Sequence, residues 1–198
     1  MFAKKKSMKY NNEWLTEKFQ SEDRIKLLFF WGHQPSKDGS VSLSCFSQWW
    51  PARFEVNGKD YFTAEHWMMA QKALLFNDDE MFEQIISSKT PEEAKKKGRD
   101  VRRFDPVIWN QHKFDIVVNG NIHKFIQNES LKAFLLQTGD SVLVEASPVD
   151  GIWGIGMAVD NIDINNPLLW KGENLLGYAL MEVRDKINGY GREAKEKN

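Results

Sequence analysis

Over most of this chain apolar residues recur at spacings of three and four, which predicts helices joined by a few short strands. Residues 1–26 read as a peripheral extension, lysine-rich at Lys4, Lys5 and Lys6 and then helical around Trp14 to Phe19. The run Leu27-Leu28-Phe29-Phe30-Trp31 predicts a buried strand closed by Gly32, and Ser36 to Ser44 a polar loop. Phe54-Glu55-Val56 and Lys59-Asp60-Tyr61-Phe62 flank Asn57-Gly58, which predicts a hairpin. Thr63 is placed to cap a helix fading near Asn77, and Asp78 to cap one over Met81 to Ser87. Thr90-Pro91-Glu92-Glu93 reads as a capping box with proline at the first helical position, opening a helix that ends near Gly98. Pro106 opens a longer helical region in which Ile108, Trp109, His112, Ile116, Val117, Ile122, Phe125 and Ile126 repeat. Glu129 to Gln137 continues it, and Gly139 is a plausible stop. Val142-Leu143-Val144 predicts a short buried strand, and Glu145 to Lys171 a loop rich in Gly, Asp, Asn and Pro. Asn174 can cap a final helix with Leu176, Leu180, Val183 and Ile187 inward, and the polar tail 189–198 is expected to fray. The predicted class is mainly α with a few short β-strands (α+β), in one compact domain over residues 27–188.

One helix departs from the usual two-faced pattern. Thr63-Ala64-Glu65-His66-Trp67-Met68-Met69-Ala70-Gln71-Lys72 is apolar on almost every side, so it should be buried. At about 100° per residue, Glu65, Met69, Lys72 and Phe76 share one side, with Trp67, Ala70 and Leu74 opposite. A carboxylate in such a helix must be paired, or its charge is costly and its pKa rises, which makes Glu65 a candidate general acid or base. Glu65 and Lys72 stand about 10 Å apart along the axis, too far to touch as neighbours one turn apart do. Both could face one cleft. The alternative is a surface stripe, with Lys72 solvated and Glu65 serving the helix N-terminus.

Composition narrows the function. The chain has 198 residues, 41% of them hydrophobic and 28% charged, with net charge −1, as expected of one soluble globular domain. That balance weighs against sequence-independent binding of a nucleic-acid backbone, which needs a basic surface. A single cysteine, Cys45, excludes an internal disulfide and reads as a buried small hydrophobe in a reducing compartment. His33, His66, His112 and His123 show no metal-ligand spacing, so no metal is expected. No run is long and apolar enough to span a membrane, and the lysine-rich start leads into Asn11-Asn12-Glu13 rather than an apolar stretch. Cytoplasmic location is the default.

Three further segments could carry chemistry. Glu145 to Gly156 places two carboxylates, Trp153 and three glycines on one loop. Asp150 could act there, Gly154 could let a backbone approach a ligand, and Trp153 could stack on a base. The bland alternative is an Asp150-Gly151 turn with Trp153 in the core. Trp49-Trp50 cannot both point the same way, so one belongs to the core and one to the surface or to a stacking site. Lys95, Lys96, Lys97, Arg99, Arg102 and Arg103 read either as a solvated helix face or as a source of one or two phosphate contacts.

Taken in order, a set of short pieces resembles the YbiA-like family, also called NADAR. They are Phe46-Ser47-Gln48-Trp49; Tyr61-Phe62-Thr63-Ala64-Glu65-His66 with Gln71-Lys72-Ala73; Ala94 with Gly98-Arg99; Trp109 with Lys113; and Lys124-Phe125 with Asn128. There follow Leu135-Leu136 with Thr138-Gly139-Asp140, Leu143 to Pro148 with Asp150, Trp153-Gly154-Ile155-Gly156, and Gly172 to Gly177 with Leu180-Met181 and Val183-Arg184. The resemblance covers roughly Leu27 to Ile187. It implies a mainly α fold and an N-glycosidase acting on a ribose C1′–N bond. The expected substrate is a phosphorylated N-riboside of the riboflavin pathway or an ADP-ribosylated guanine, with ADP-ribosylated nucleic acid as a further partner. On this reading Glu65, Asp150 and Lys72 are catalytic. Trp49, Trp109, Trp153, Gly154, Arg99, Lys113 and Asn174 bind substrate, and no metal or redox cofactor takes part. Gln48-Trp49 departs from the family's usual Phe-Ser-Asn-Phe piece, which is expected to reshape the pocket rim. The rival reading is a non-catalytic module that binds ADP-ribose or a related nucleotide.

Overall fold

The computed structural model describes residues 8–21 and 24–196, with side chains up to Gly189; Lys4, Lys5 and Lys6 lie outside the described residues. Along the chain run α1 (Asn12–Gln20), β1 (Leu27–Phe30), β2 (Phe54–Val56), β3 (Lys59–Tyr61), α2 (Ala64–Leu75), α3 (Asp79–Ile86), α4 (Pro91–Arg99), α5 (Pro106–Gln127), α6 (Glu129–Gln137), β4 (Val142–Glu145) and α7 (Leu175–Glu196). Single 3₁₀ turns occupy Leu43–Phe46 and Pro167–Leu169. The molecule is thus mainly α with a few short strands, as the hydrophobic pattern predicts. By its contacts the chain forms two units, residues 1–30 with 140–182, and residues 31–139 with 183–198.

In the first unit β1 and β4 pair in parallel, Leu27 opposite Val142 through Phe30 opposite Glu145. β4 is the buried strand; Val142, Leu143 and Val144 are all inside. β1 is buried only at Phe30, and Trp31, expected to end a buried strand, is 57% exposed. In a sheet of two strands each is an edge, so a continuous apolar run does not guarantee cover on both faces. α7 begins against β4, and a Cβ at Gly177 would lie 2.0 Å from the Leu143 carbonyl oxygen. α1, capped by Asn11, is tied in by Tyr178 Oη donating to Asn12 Oδ1 and Asn12 Nδ2 donating to the Gly172 carbonyl. The frayed tail expected from Gly189 is instead helical backbone through Glu196, a stretch containing the strong helix formers Arg192, Glu193, Ala194, Lys195 and Glu196.

In the second unit the hairpin turns at Asn57 and Gly58, both with positive φ, as a two-residue primed turn requires. α2 is surrounded by α3, α4 and α5 and is buried at every position from Ala64 to Ala70, which explains why its sequence lacks a polar face. Thr63, Asp78, Thr90 and Asp105 cap α2, α3, α4 and α5 through their side chains. Glu93 Oε2 accepts from the Lys89 N–H, one residue before the position a reciprocal capping box uses. α5 packs so closely on α2 that a Cβ at Gly120 would meet the Trp67 ring at 2.3 Å. The Trp67 indole N–H donates to the Ile116 carbonyl at 2.9 Å on that same helix.

Candidate active site

Glu65 occupies the second position of α2, where a helix leaves its N–H groups without partners inside the helix. Its N–H donates to the Gln48 carbonyl at 2.9 Å, and Thr63 Oγ1 accepts from the next one, His66. The Phe46-Ser47-Gln48-Trp49 segment is therefore fastened to the helix start by its backbone. Glu65 is 3% exposed. A solvated stripe is excluded for this face: Met69 and Phe76 are buried, and Lys72 is partly buried.

Lys72 Nζ donates to the Gly98 carbonyl at 2.6 Å at the end of α4, and sits 4.1 Å from the Phe104 ring centroid and 5.8 Å from that of Trp109. Burial holds its ammonium below the usual lysine value. At the Glu65 end, Trp49 is half-buried, its ring 5.4 Å from His33 and 5.7 Å from Lys95 Nζ. Its neighbour Trp50 goes into the core, so the adjacent pair divides as its backbone demands. Trp109 thus lies beside Lys72 at one end of this face, and at the other Trp49 is the residue after Gln48, whose carbonyl meets the Glu65 N–H. Lys113, one turn after Trp109 on α5, is half-buried, and Arg99 is exposed at the end of α4.

Three members of the basic run are held by the protein itself, whereas Arg99 stays exposed. Lys97 Nζ donates to the Gln84 carbonyl and Ser88 Oγ; Arg102 pairs with Asp78 and Glu80; Arg103 binds the Phe76 and Asn77 carbonyls. These cations tie α3, α4 and the end of α2 together. His66 beside Glu65 is also structural. With its Nε2–H given to the Ser88 carbonyl at 3.2 Å, Nδ1 is left to accept from Thr63 Oγ1 at 2.8 Å, and burial holds the ring below the usual histidine value.

The first unit contains Asp150, Trp153, Gly154 and Asn174. Asp150 Oδ1 accepts from the Ile152 and Trp153 N–H groups at 2.9 and 2.8 Å, and its carbonyl from Gly156 at 3.1 Å. Trp153 is half-buried. Gly154 is buried, and a Cβ there would come within 2.9 Å of the Glu145 carbonyl; the chain's own backbone, rather than a ligand, requires glycine. Asn174 is fully buried with a left-handed backbone. Its amide donates to the Leu143 carbonyl at 2.9 Å and accepts from the Glu145 N–H at 3.0 Å. That engagement places it in the β4 framework rather than on a substrate. The N–H groups of Asn174, Leu175 and Leu176 are met instead by the carbonyls of Gly154, Ile152 and Trp153, so the glycine-rich loop caps the start of α7.

Two buried polar side chains that the sequence reading did not assign to the site lie on α5. Asn121 and Lys124 are buried polar side chains in a helix whose inward side is otherwise apolar, at spacings that continue to Asn128. That interruption was the available signal. Asn121 Nδ2 donates to the Val117 carbonyl and lies 3.5 Å from Gln48 Oε1. Cys45 is buried as expected, its thiol pushed up to about 11. Among the described residues no helix is long and apolar enough to cross a membrane.

Residues 29–188 match the model of the NADAR domain. An N-glycosidase of Acanthamoeba polyphaga mimivirus is 45% identical over 169 residues, which cover 81% of this chain and 96% of that one. The N-glycosidase YbiA of Escherichia coli is 34% identical over 138 residues, 70% of this chain and 76% of that one. The solved structure of Escherichia coli YbiA superposes with a TM-score of 0.66 at 29% identity, covering 86% of this chain and 93% of that one. Family model, sequence relatives and backbone agree over both contact units: the chain belongs to the NADAR domain family.

Proposed function

We propose that this protein is an N-glycosidase, a hydrolase that cleaves the C1′–N bond of a phosphorylated N-riboside or of an ADP-ribosylated guanine, with Glu65 as the carboxylate that serves the reaction. Breaking that bond builds positive charge on C1′ and the ring oxygen, and a fixed carboxylate in a water-poor setting stabilises it. Water then adds its oxygen to C1′. One proton of that water passes to the carboxylate, and the departing base nitrogen takes up one proton, so sugar hydroxyl and free base are the products. Proton delivery to the leaving nitrogen contributes roughly 10²–10⁴-fold. The single observation carrying this reading is Glu65 itself, 3% exposed at the start of a helix buried from Ala64 to Ala70 and anchored by its N–H to Gln48. Trp49, the residue after Gln48, offers a half-buried ring for the base. Lys72, whose ammonium is held at Gly98 and Phe104, suits the phosphate, with Lys113 near Trp109 as a second cation and exposed Arg99 as a weaker one.

Glu65→Gln preserves shape and removes the charge. With the fold verified by circular dichroism, turnover should drop by at least about 10²-fold while substrate affinity stays within a few-fold. The measurement is mass spectrometry of released base over a panel that includes riboflavin-pathway N-riboside phosphates and ADP-ribosylated guanosine. Full turnover by Glu65→Gln removes that residue from the chemistry. Tight binding of ADP-ribose by the wild type, with no bond broken in any member of the panel, would mean a nucleotide-binding module instead.

A further inference from the structure

Asn121 and Lys124 on α5 and Asn128 at its C-terminal cap fall at successive spacings of three and four, and all three reach one stretch of chain. Asn121 Nδ2 lies 3.5 Å from Gln48 Oε1, Lys124 Nζ donates to the Cys45 carbonyl at 2.7 Å and the Ser47 carbonyl at 2.9 Å, and Asn128 Nδ2 donates to the Arg53 carbonyl at 3.1 Å. That stretch carries Trp49 and delivers the Gln48 carbonyl to the Glu65 N–H. Lys124 is completely buried. Among the described residues the ammonium bonds to neutral carbonyls rather than to a carboxylate, so its desolvation is not offset by an ion pair and an apolar residue would serve core stability better. What the buried charge does supply is a fixed geometry for the two carbonyls it holds.

We infer that Lys124 is a positioning residue of the glycosidase site: its ammonium clamps the Cys45 and Ser47 carbonyls, and so sets Gln48 against Glu65 and fixes the backbone that carries Trp49. The inference rests on the reading of Glu65 and Trp49 given above. The clamp is strongest while Lys124 is charged, because hydrogen bonds from an ammonium to a carbonyl exceed those from a neutral amine. Burial pushes this ammonium down to about 8, which brings its loss within reach of mildly alkaline solution. Cys45, from the facing 3₁₀ turn, is the titratable group whose charge acts on it, and that thiol stays neutral until about 11. On α5 itself the adjacent His123 is held below the usual histidine value by burial, so it is neutral over the same range, and the Phe125 ring lies 5.2 Å from Nζ.

The test uses the full chain and two readouts. The emission of Trp49, isolated as wild type minus Trp49→Phe, is followed without ligand from about pH 6.5 to about pH 9.5. A transition near 8 is expected in the wild type and none in Lys124→Met. No transition in the wild type, or the same one in Lys124→Met, overturns the clamp. The kcat/KM of the wild type on whichever N-riboside it cleaves should fall by about tenfold per pH unit above the transition, whereas Lys124→Met should be at least about tenfold slower at neutral pH and show no such limb. A Lys124→Met enzyme with wild-type kcat/KM at neutral pH also overturns the proposal. Should Lys124→Met fail to fold, carbon NMR of lysine Cε in the wild type decides: Lys124 titrating in step with Trp49 emission supports the clamp, and a Trp49 transition without it overturns the clamp. Failure of the catalytic reading shows separately, as full turnover in Glu65→Gln, and leaves the emission test intact.

Discussion

Asp150 and Glu65 both border backbone N–H groups, but the backbone engages them differently. Asp150 receives two N–H groups on Oδ1, whereas Glu65 is anchored through its own main-chain N–H. An aspartate in the first arrangement holds a loop, and a charged role has to be shown separately. Asp150→Asn keeps an Oδ1 acceptor for Ile152 and Trp153 while removing the charge. If Asp150 also serves the hydrolysis, kcat drops by at least about tenfold at unchanged Tm. Unchanged turnover by the base-release assay would leave Asp150 with the loop alone. Asp78 shows the structural use carried furthest: it caps α3, accepts from the Arg102 N–H and guanidinium, and is held well below the usual carboxylate range by that arginine. Aspartates at caps and turns were legible in the sequence. Which arginine answers Asp78 was not, since the partners stand 24 positions apart.

Between elements, the closest packing on α2 comes from glycines. Gly120 lets α5 lie against Trp67, and Gly98 lets α4 lie against Met69, where a Cβ would come within 2.1 Å of the sulfur. The two should respond differently to alanine. Methionine can swing its thioether away, but the Trp67 ring is rigid and its N–H is bound to Ile116. Alanine inside a helix gains about 1 kcal/mol in propensity over glycine. Overpacking costs about 1–3 kcal/mol, so Gly120→Ala should lower stability by up to about 2 kcal/mol in a urea melt, and Gly98→Ala by less. A stabilised Gly120→Ala would show that α5 can move off α2 at little cost. The positions of α2, α5 and the Asn-Gly hairpin follow from periodicity and turn chemistry. The glycine contacts do not, because a glycine in a helical pattern looks the same whether it serves a close approach or merely weakens the helix.

For the molecule as a whole, pH is the variable through which buried groups act together. His66 and His123 are both held below the ordinary histidine value by burial, and the folded state therefore resists protonating them. Their contribution is present above the unfolded value of about 6.5 and is lost as pH falls from there through the folded values. Asp78, also lowered, keeps its contribution above the unfolded aspartate value of about 3.9 and loses it on further acidification. Thermal melts should thus show two acid-side declines. The first should shrink in His66→Gln, and an undiminished first decline would place its origin elsewhere. The net charge of −1 adds little long-range repulsion at neutral pH, so these local groups dominate the profile.

By itself the sequence determined the class of fold, the start of nearly every element and the burial of the helix that carries Glu65. Each depends on residues a few positions apart, through caps, turns and the helical repeat. It also determined family membership, because the ordered motifs can be matched without knowing where they meet. Tertiary structure alone decided that Lys72 is held at Gly98 and Phe104, that Lys97, Arg102 and Arg103 tie helices together, that Asn174 serves β4, and that Lys124 grips the segment before Trp49. Those outcomes turn on which carbonyls and rings a distant side chain reaches, which hydrophobic spacing along the chain does not encode.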